Sequence, residues 1–237
     1  MPVHLSTFLA ALAFASVHLA SPWLSALDRT PHSIWLSLAG GISTSYVFVH
    51  LLPELARLEV GPESVGSGSF GPIIFATALA GLVAFYGIER MAREGDRGRD
   101  TRRSSGAGVY ALQLGSFAVY NAVICYLLEE QALEGSLALY ALAMAMHFVV
   151  NDRALGAHHG PRYERSGRFI LSGAALAVWA AAQVIALPHG LVSGMLAFLA
   201  GGVVLNIIKE ELPQERESRF WAFALGAGAY AALLTSS

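Results

Sequence analysis

The stretch GPIIFATALAGLVAFYGIERMAREGDRGRDTRRSSG (71–106) carries both signals that decide the architecture of this chain. Its first part, 71–91, is an apolar run opened by Gly71-Pro72. A helix rises ~1.5 Å per residue, so such a run is long enough for a hydrocarbon core ~30 Å thick. Its second part, 93–106, gathers Arg93, Arg97, Arg99, Arg102 and Arg103. Cationic connections resist translocation, which puts this loop on the cytoplasmic face. Working outward, seven more apolar runs of spanning length occur, at 4–23, 34–56, 107–128, 135–153, 167–187, 190–210 and 219–236. If the eight runs cross alternately, 14 of the 15 Lys and Arg residues fall on the same side as 93–106, and Arg57 alone on the other. The expectation is an all-α membrane protein of eight transmembrane helices. It forms a single transmembrane domain, 1–237, in the cell (inner) membrane with both termini outside.

Composition agrees. Apolar residues make up 55% of the chain and charged residues 14%, against about 25% charged in a soluble domain. The outer connections hold Glu54, Glu59, Glu63, Glu129, Glu130 and Glu134. They read either as ordinary solvated loops or as a mildly anionic face that raises the local cation concentration. The lone Cys125 excludes an internal disulfide and a thiolate metal cluster. No Lys or Arg precedes the apolar residues 5–20, so this segment reads as a helix that stays and not as a cleaved signal. Asp100 interrupts the basic run from Arg97 to Arg103. Nothing there points to nucleic acid, and the loop suits anionic lipid headgroups.

An internal similarity suggests how the spans are arranged. Leu38-Ala39-Gly40-Gly41 opens a stretch that runs through His50 to Pro53-Glu54, and Leu199-Ala200-Gly201-Gly202 opens another that runs through Glu210-Glu211 to Pro213. Eleven residues separate the Gly pair from the Pro in the first copy and ten in the second. The first copy lies in the second span and the second in the seventh, which run in opposite directions. This predicts an inverted repeat, helices 1–3 against 6–8, around helices 4 and 5. Transporters use that arrangement to open to each side in turn around a midplane site. Leu, Ala and Gly are abundant here, so chance similarity is the competing reading.

Polar side chains at membrane depth are costly unless paired or wetted. The fourth span carries Tyr120 and Asn121, the fifth His147, Asn151 and Asp152, the sixth Gln183 and the seventh Asn206. His147 and Asn151 are four apart and share a helix face, as do His50 and Glu54 at the outer end of the second span. Imidazole nitrogen with amide or carboxylate oxygen suits a divalent transition metal such as zinc, iron or manganese. Transport favours such modest sets, because a closed tetrahedral cage would not release its ion. Each amide reads equally as a helix-to-helix hydrogen bond. Asp152 stands beside Arg153, which predicts a local interfacial ion pair, and His158-His159 predicts a small histidine pair in an inner loop.

Taken together, these features resemble the ZIP (Zrt/Irt-like) family of divalent-metal transporters. His50-Leu51-Leu52-Pro53-Glu54 is similar to the end of that family's second helix, and Glu211-Leu212-Pro213-Gln214-Glu215 to the end of its seventh. His147 through Asp152 is similar to the His-Glu-x-Pro-His-Glu motif of its fifth. The departures are Phe148 for the first Glu, Val150 for the Pro and Asn151 for the second His. In the fourth helix, Tyr120 and Ile124 stand where the family's His and Asp would be, and Asn121 is kept. The resemblance implies a transporter passing a divalent metal, zinc foremost, into the cytoplasm, with a homodimer as its assembly. The metal residues it implies are His147, Asn151, Asn121, Asp152 and Gln183. The path around them would run past His50, Glu54, Glu210, Glu211, His158 and His159. The ion is substrate, and no covalent catalysis is expected. Loss of the usual carboxylates implies an alternative, a ZIP-fold protein without transport that serves as a sensor or partner subunit. A third reading, an intramembrane hydrolase, would need three convergent ligands and an open metal position, and no motif has that spacing.

Overall fold

The computed structural model describes residues 3–24, 34–59, 71–97, 107–133, 137–211 and 219–236. Among these residues there are eight helices and no strand. They are α1 (Val3–Leu24), α2 (34–59), α3 (Gly71–Arg97), α4 (107–133), α5 (Leu137–His159), α6 (163–182), α7 (189–211) and α8 (Phe220–Ser236). Helices keep every backbone hydrogen bond within the segment, which is what a hydrocarbon environment demands. Five of them are long and apolar enough to cross a membrane, and α8 is a shorter apolar helix. Their outward faces agree: Leu79, Val83, Val119 and Leu225 lie mid-helix and exposed. This is an all-α membrane protein.

One correction concerns where a helix ends. α5 continues to His159, so His158 and His159 sit on its last turn and not in a loop. The chain then turns into α6 at Gly160, whose φ of 50° favours glycine. Contacts at the ends show that the helices alternate in direction. At one end, His4 of α1 meets Gln183 just past α6; there too the C-terminal part of α2 lines a cleft with the start of α5 and of α7. At the other end, Glu89 of α3, Gln113 of α4 and His158 of α5 share a second cleft. The first is called here the acidic end, after Glu54, Glu129 and Glu130, and the second the arginine-rich end.

The repeat is visible in the packing. α2 lies closely along α8, and α3 closely along α7. Each pair is held by two glycines. A Cβ on Gly41 would run into the carbonyl of Phe223, and one on Gly226 into that of Leu38. In the other pair, a Cβ on Gly201 would strike the carbonyl of Ala78, and one on Gly81 that of Phe198. Small residues let backbones approach this closely where packing, and not hydrophobicity, drives association. Gly201 stands 160 positions after Gly41. The π-helical turns repeat with the same offset, Val47–Leu51 in α2 and Ile207–Glu211 in α7. The LAGG match is therefore one residue out of register: Gly41 corresponds to Gly201 and not to Gly202. With that shift, Pro53 and Pro213 also align at 160.

The repeat is not followed everywhere. α1 with α5 and α6 with α4 pack to a similar extent, but α2 packs along α5 whereas α7 touches α4 only lightly.

Candidate functional site

The polar residues of the interior form two networks built from consecutive residues. Neighbours in a helix point about 100° apart, so one helix feeds two sites. In α4 and α5 the first residue of each pair goes to His147. Tyr120 donates its hydroxyl to His147 Nε2 at 2.6 Å, and Asn151 Nδ2 donates to the same nitrogen at 2.9 Å. Asn151 Oδ1 accepts from Asn206 Nδ2 of α7. With the amides in this order, Nε2 is an acceptor and His147 carries its proton on Nδ1.

The second residue of each pair goes to His18 of α1. Asn121 Nδ2 donates to His18 Nε2 at 2.9 Å. His18 Nδ1 lies 2.9 Å from both oxygens of Asp152, and Tyr163 donates its hydroxyl to Asp152 Oδ1 at 2.6 Å. His18 and Asp152 are both buried to 1%. This overturns the local pair with Arg153: the carboxylate is taken up by side chains from α1 and α6. The Phe148 ring lies 4.9 Å from that of His18 and 6.3 Å from that of His147, which sets the two networks apart. His18 is the residue that sequence reading missed. Its only available signal was a histidine within an otherwise apolar helix.

The remaining candidates lie nearer the ends. Gln183 is remote from His147. Its Oε1 accepts from His4 Nδ1 at 2.7 Å, and its Nε2 donates to Glu129 Oε1 at 2.8 Å, an oxygen that also accepts from Thr7 at 2.8 Å. His50 and Glu54 line the acidic-end cleft together with Glu130 and Gln131, and Tyr46 and Tyr140 form its floor. His158 lines the arginine-rich-end cleft with Glu89 and Gln113. His159 instead turns to Gln113 Oε1, 2.5 Å away. Lys209 of α7 pairs with Glu89 of α3. The side chains of Glu210 and Glu211 lie outside the described residues.

The arginine-rich-end cleft reaches inward to Tyr120 and Asn206, and so to the edge of the His147 network. Between the two clefts, each shared helix contributes buried apolar residues: Val123 and Ile124 in α4, Ala143 and Met144 in α5, Leu199 and Ala200 in α7. These buried residues separate the two clefts. On the arginine-rich side of them, the available donor set is one imidazole, two amides and a phenol. Among the described residues, no three His, Cys, Asp or Glu side chains gather as a metal-holding group. Such a set holds a divalent cation only weakly, with part of its water shell retained.

Comparison with known proteins leaves the chain unassigned: no protein-family model, no curated protein and no solved structure matches it.

Proposed function

We propose that this protein is a ZIP-like carrier that passes a divalent transition metal, zinc foremost, across the membrane toward its arginine-rich, cytoplasmic side. The observation that carries this reading is the pair of opposed clefts, one at each end, separated by a single apolar layer. Each cleft holds a histidine and carboxylate: His50 with Glu54 and Glu130 on one side, and on the other His158 with Glu89, whose charge is met by Lys209 of α7. An anionic mouth concentrates cations, and imidazole selects transition metals over alkali ions.

His147 is the coordinating atom source at the inner cleft. Its Nε2 lone pair is held by Tyr120 and Asn151; a cation reaching the site would replace those two donors, and Asn151 would turn its Oδ1 toward the ion before the ion leaves through the inner cleft. Asn206 Nδ2, which donates to Asn151 Oδ1, would give up that acceptor to the ion. Because no carboxylate joins the set, the ion stays loosely held and leaves readily. The close packing of α2 on α5 and the light contact of α7 with α4 fit a molecule open at the arginine-rich end. Exchanging the roles of the two repeats would close that end and open the other.

Zinc uptake into proteoliposomes tests the proposal. His147→Ala is expected to lower uptake roughly tenfold or more, as loss of a ligand does. Uptake unaltered by this change would remove His147 from the path.

The absence of a three-ligand group among the described residues favours a second reading, a ZIP-fold sensor or partner subunit without transport. Calorimetry with zinc, manganese and iron separates the two, since binding only at millimolar concentration, or none, supports the second.

A further inference from the structure

A third opening lies on the flank of the bundle, where α7 only lightly touches α4. A groove of about 350 Å³ runs there between α3, α4 and α7. Its rim is Val119, Leu191 and Phe198, all exposed on the apolar outer surface. Its back wall is Val123, Leu199 and Tyr120, each less than 10% exposed. At Gly190 and Gly194 an added Cβ would meet nothing within 4 Å, so the α7 side is open space and not close packing.

Water has no reason to stay in this groove. A retained water needs two to four polar partners. The two hydroxyls on the walls are already engaged, Thr77 with the carbonyl of Ile73 at 2.8 Å and Tyr120 with His147 at 2.6 Å. An empty groove is also unfavourable, because its lining atoms lose their dispersion contacts on one side. The surface around the rim is the lipid-facing belt, and what borders such a surface is hydrocarbon.

We infer that this groove is a binding site for one acyl chain of a bilayer phospholipid, which enters between α4 and α7 and reaches Tyr120. The chain acts as the packing partner that α7 and α4 lack in each other. The site is independent of whether the protein carries metal.

The test uses the full chain in phosphatidylcholine vesicles in which a fraction of the lipid bears a diazirine in its acyl chain. After irradiation, lipid adducts are mapped by proteolysis and mass spectrometry. Adducts are expected on Val123 and Leu199, which surrounding lipid does not reach, as well as on the rim. Gly194→Phe should remove the adducts on these two while leaving those on Leu79 and Leu225, on open lipid-facing surface, unchanged. Adducts confined to Val119, Leu191 and Phe198 in the unsubstituted protein would overturn the inference. So would protein–protein adducts through α4 or α7 in place of lipid, which would give the groove to a second copy. The unsubstituted map decides by itself if Gly194→Phe does not fold.

Discussion

Asn151 and Asp152 are consecutive in α5 yet serve different histidines: the amide of Asn151 meets His147, and the carboxylate of Asp152 meets His18 of α1. The same division occurs in α4, where Tyr120 goes to His147 and Asn121 to His18. Two adjacent positions on each of two helices thus build two separate polar centres. One opens toward the arginine-rich-end cleft through Tyr120 and Asn206, and the other lies enclosed among α1, α4, α5 and α6.

The enclosed centre should behave as a structural clamp. Removing one partner of a buried hydrogen bond strands the other, which costs about 1–3 kcal/mol and more where the remaining group is charged. Asp152→Leu and His18→Leu are each expected to destabilise the protein by an amount of that order. The double substitution should cost clearly less than their sum. Thermal unfolding in detergent, arranged as a double-mutant cycle, measures the coupling; strictly additive effects would show that the two side chains do not depend on each other.

The two centres should also respond separately. With histidine labelled by nitrogen-15, His147 is expected to show an unprotonated Nε2 and a protonated Nδ1. Asn206→Leu removes the donor that holds the Asn151 amide in place. Its effect should appear in the His147 signals and spare those of His18. Equal movement of both sets of signals would mean that the Phe148 ring does not separate the networks.

Gly41 and Gly201 make a paired prediction, because they occupy equivalent places in the two repeats. Alanine at either position would press against a backbone carbonyl of the neighbouring helix, which is not the flexible end of a side chain and must be pushed away. Overpacking of this kind costs typically 1–3 kcal/mol. Gly41→Ala and Gly201→Ala should lower thermal stability by similar amounts. Gly173→Ala, where nothing lies within 4 Å, should be neutral or stabilising by up to ~1 kcal/mol through helix propensity. A harmless Gly201→Ala would contradict the close approach of α3 and α7.

Much of the fold was readable because the bilayer imposes one coarse rule, that each crossing be long, apolar and helical. The eight spans follow from this rule, and the existence of a repeat from the matching Gly and Pro positions of the second and seventh spans. The centre was less readable, because spacing in sequence reports which residues share a helix face and not which face meets which neighbour. His147 with Asn151 was visible as an i, i+4 pair. His18 was not, since its partner Asp152 lies 134 residues away. Asp152 was misjudged for the same reason: the adjacent Arg153 was in view, and α1 and α6 were not. Gln183 matched a helix position but sits at the acidic end with His4 and Glu129. The one-residue error in the repeat arose because four identical letters outweighed the register that the close glycine contacts and π turns share.

The last prediction concerns the two clefts and the layer between them. Single cysteines in a Cys125→Ala background should divide into three groups toward a membrane-impermeant thiol reagent. Gln113→Cys and Ser116→Cys line the cleft at the arginine-rich end, so reagent supplied from that side should modify them. Gln131→Cys and Ser193→Cys line the opposite cleft and should react from the other side only. Ala143→Cys and Leu199→Cys belong to the buried layer and should resist reagent from both sides. Sealed vesicles of known orientation supply the two sides, and the positive-inside distribution predicts that Gln113→Cys and Ser116→Cys react from the cytoplasm. Modification of Ala143→Cys from either side would mean that the layer is wet, and that the passage is a continuous pore in place of two clefts. Reaction of Gln131→Cys and Ser116→Cys from one common side would contradict the crossing of the membrane by α4, which carries both.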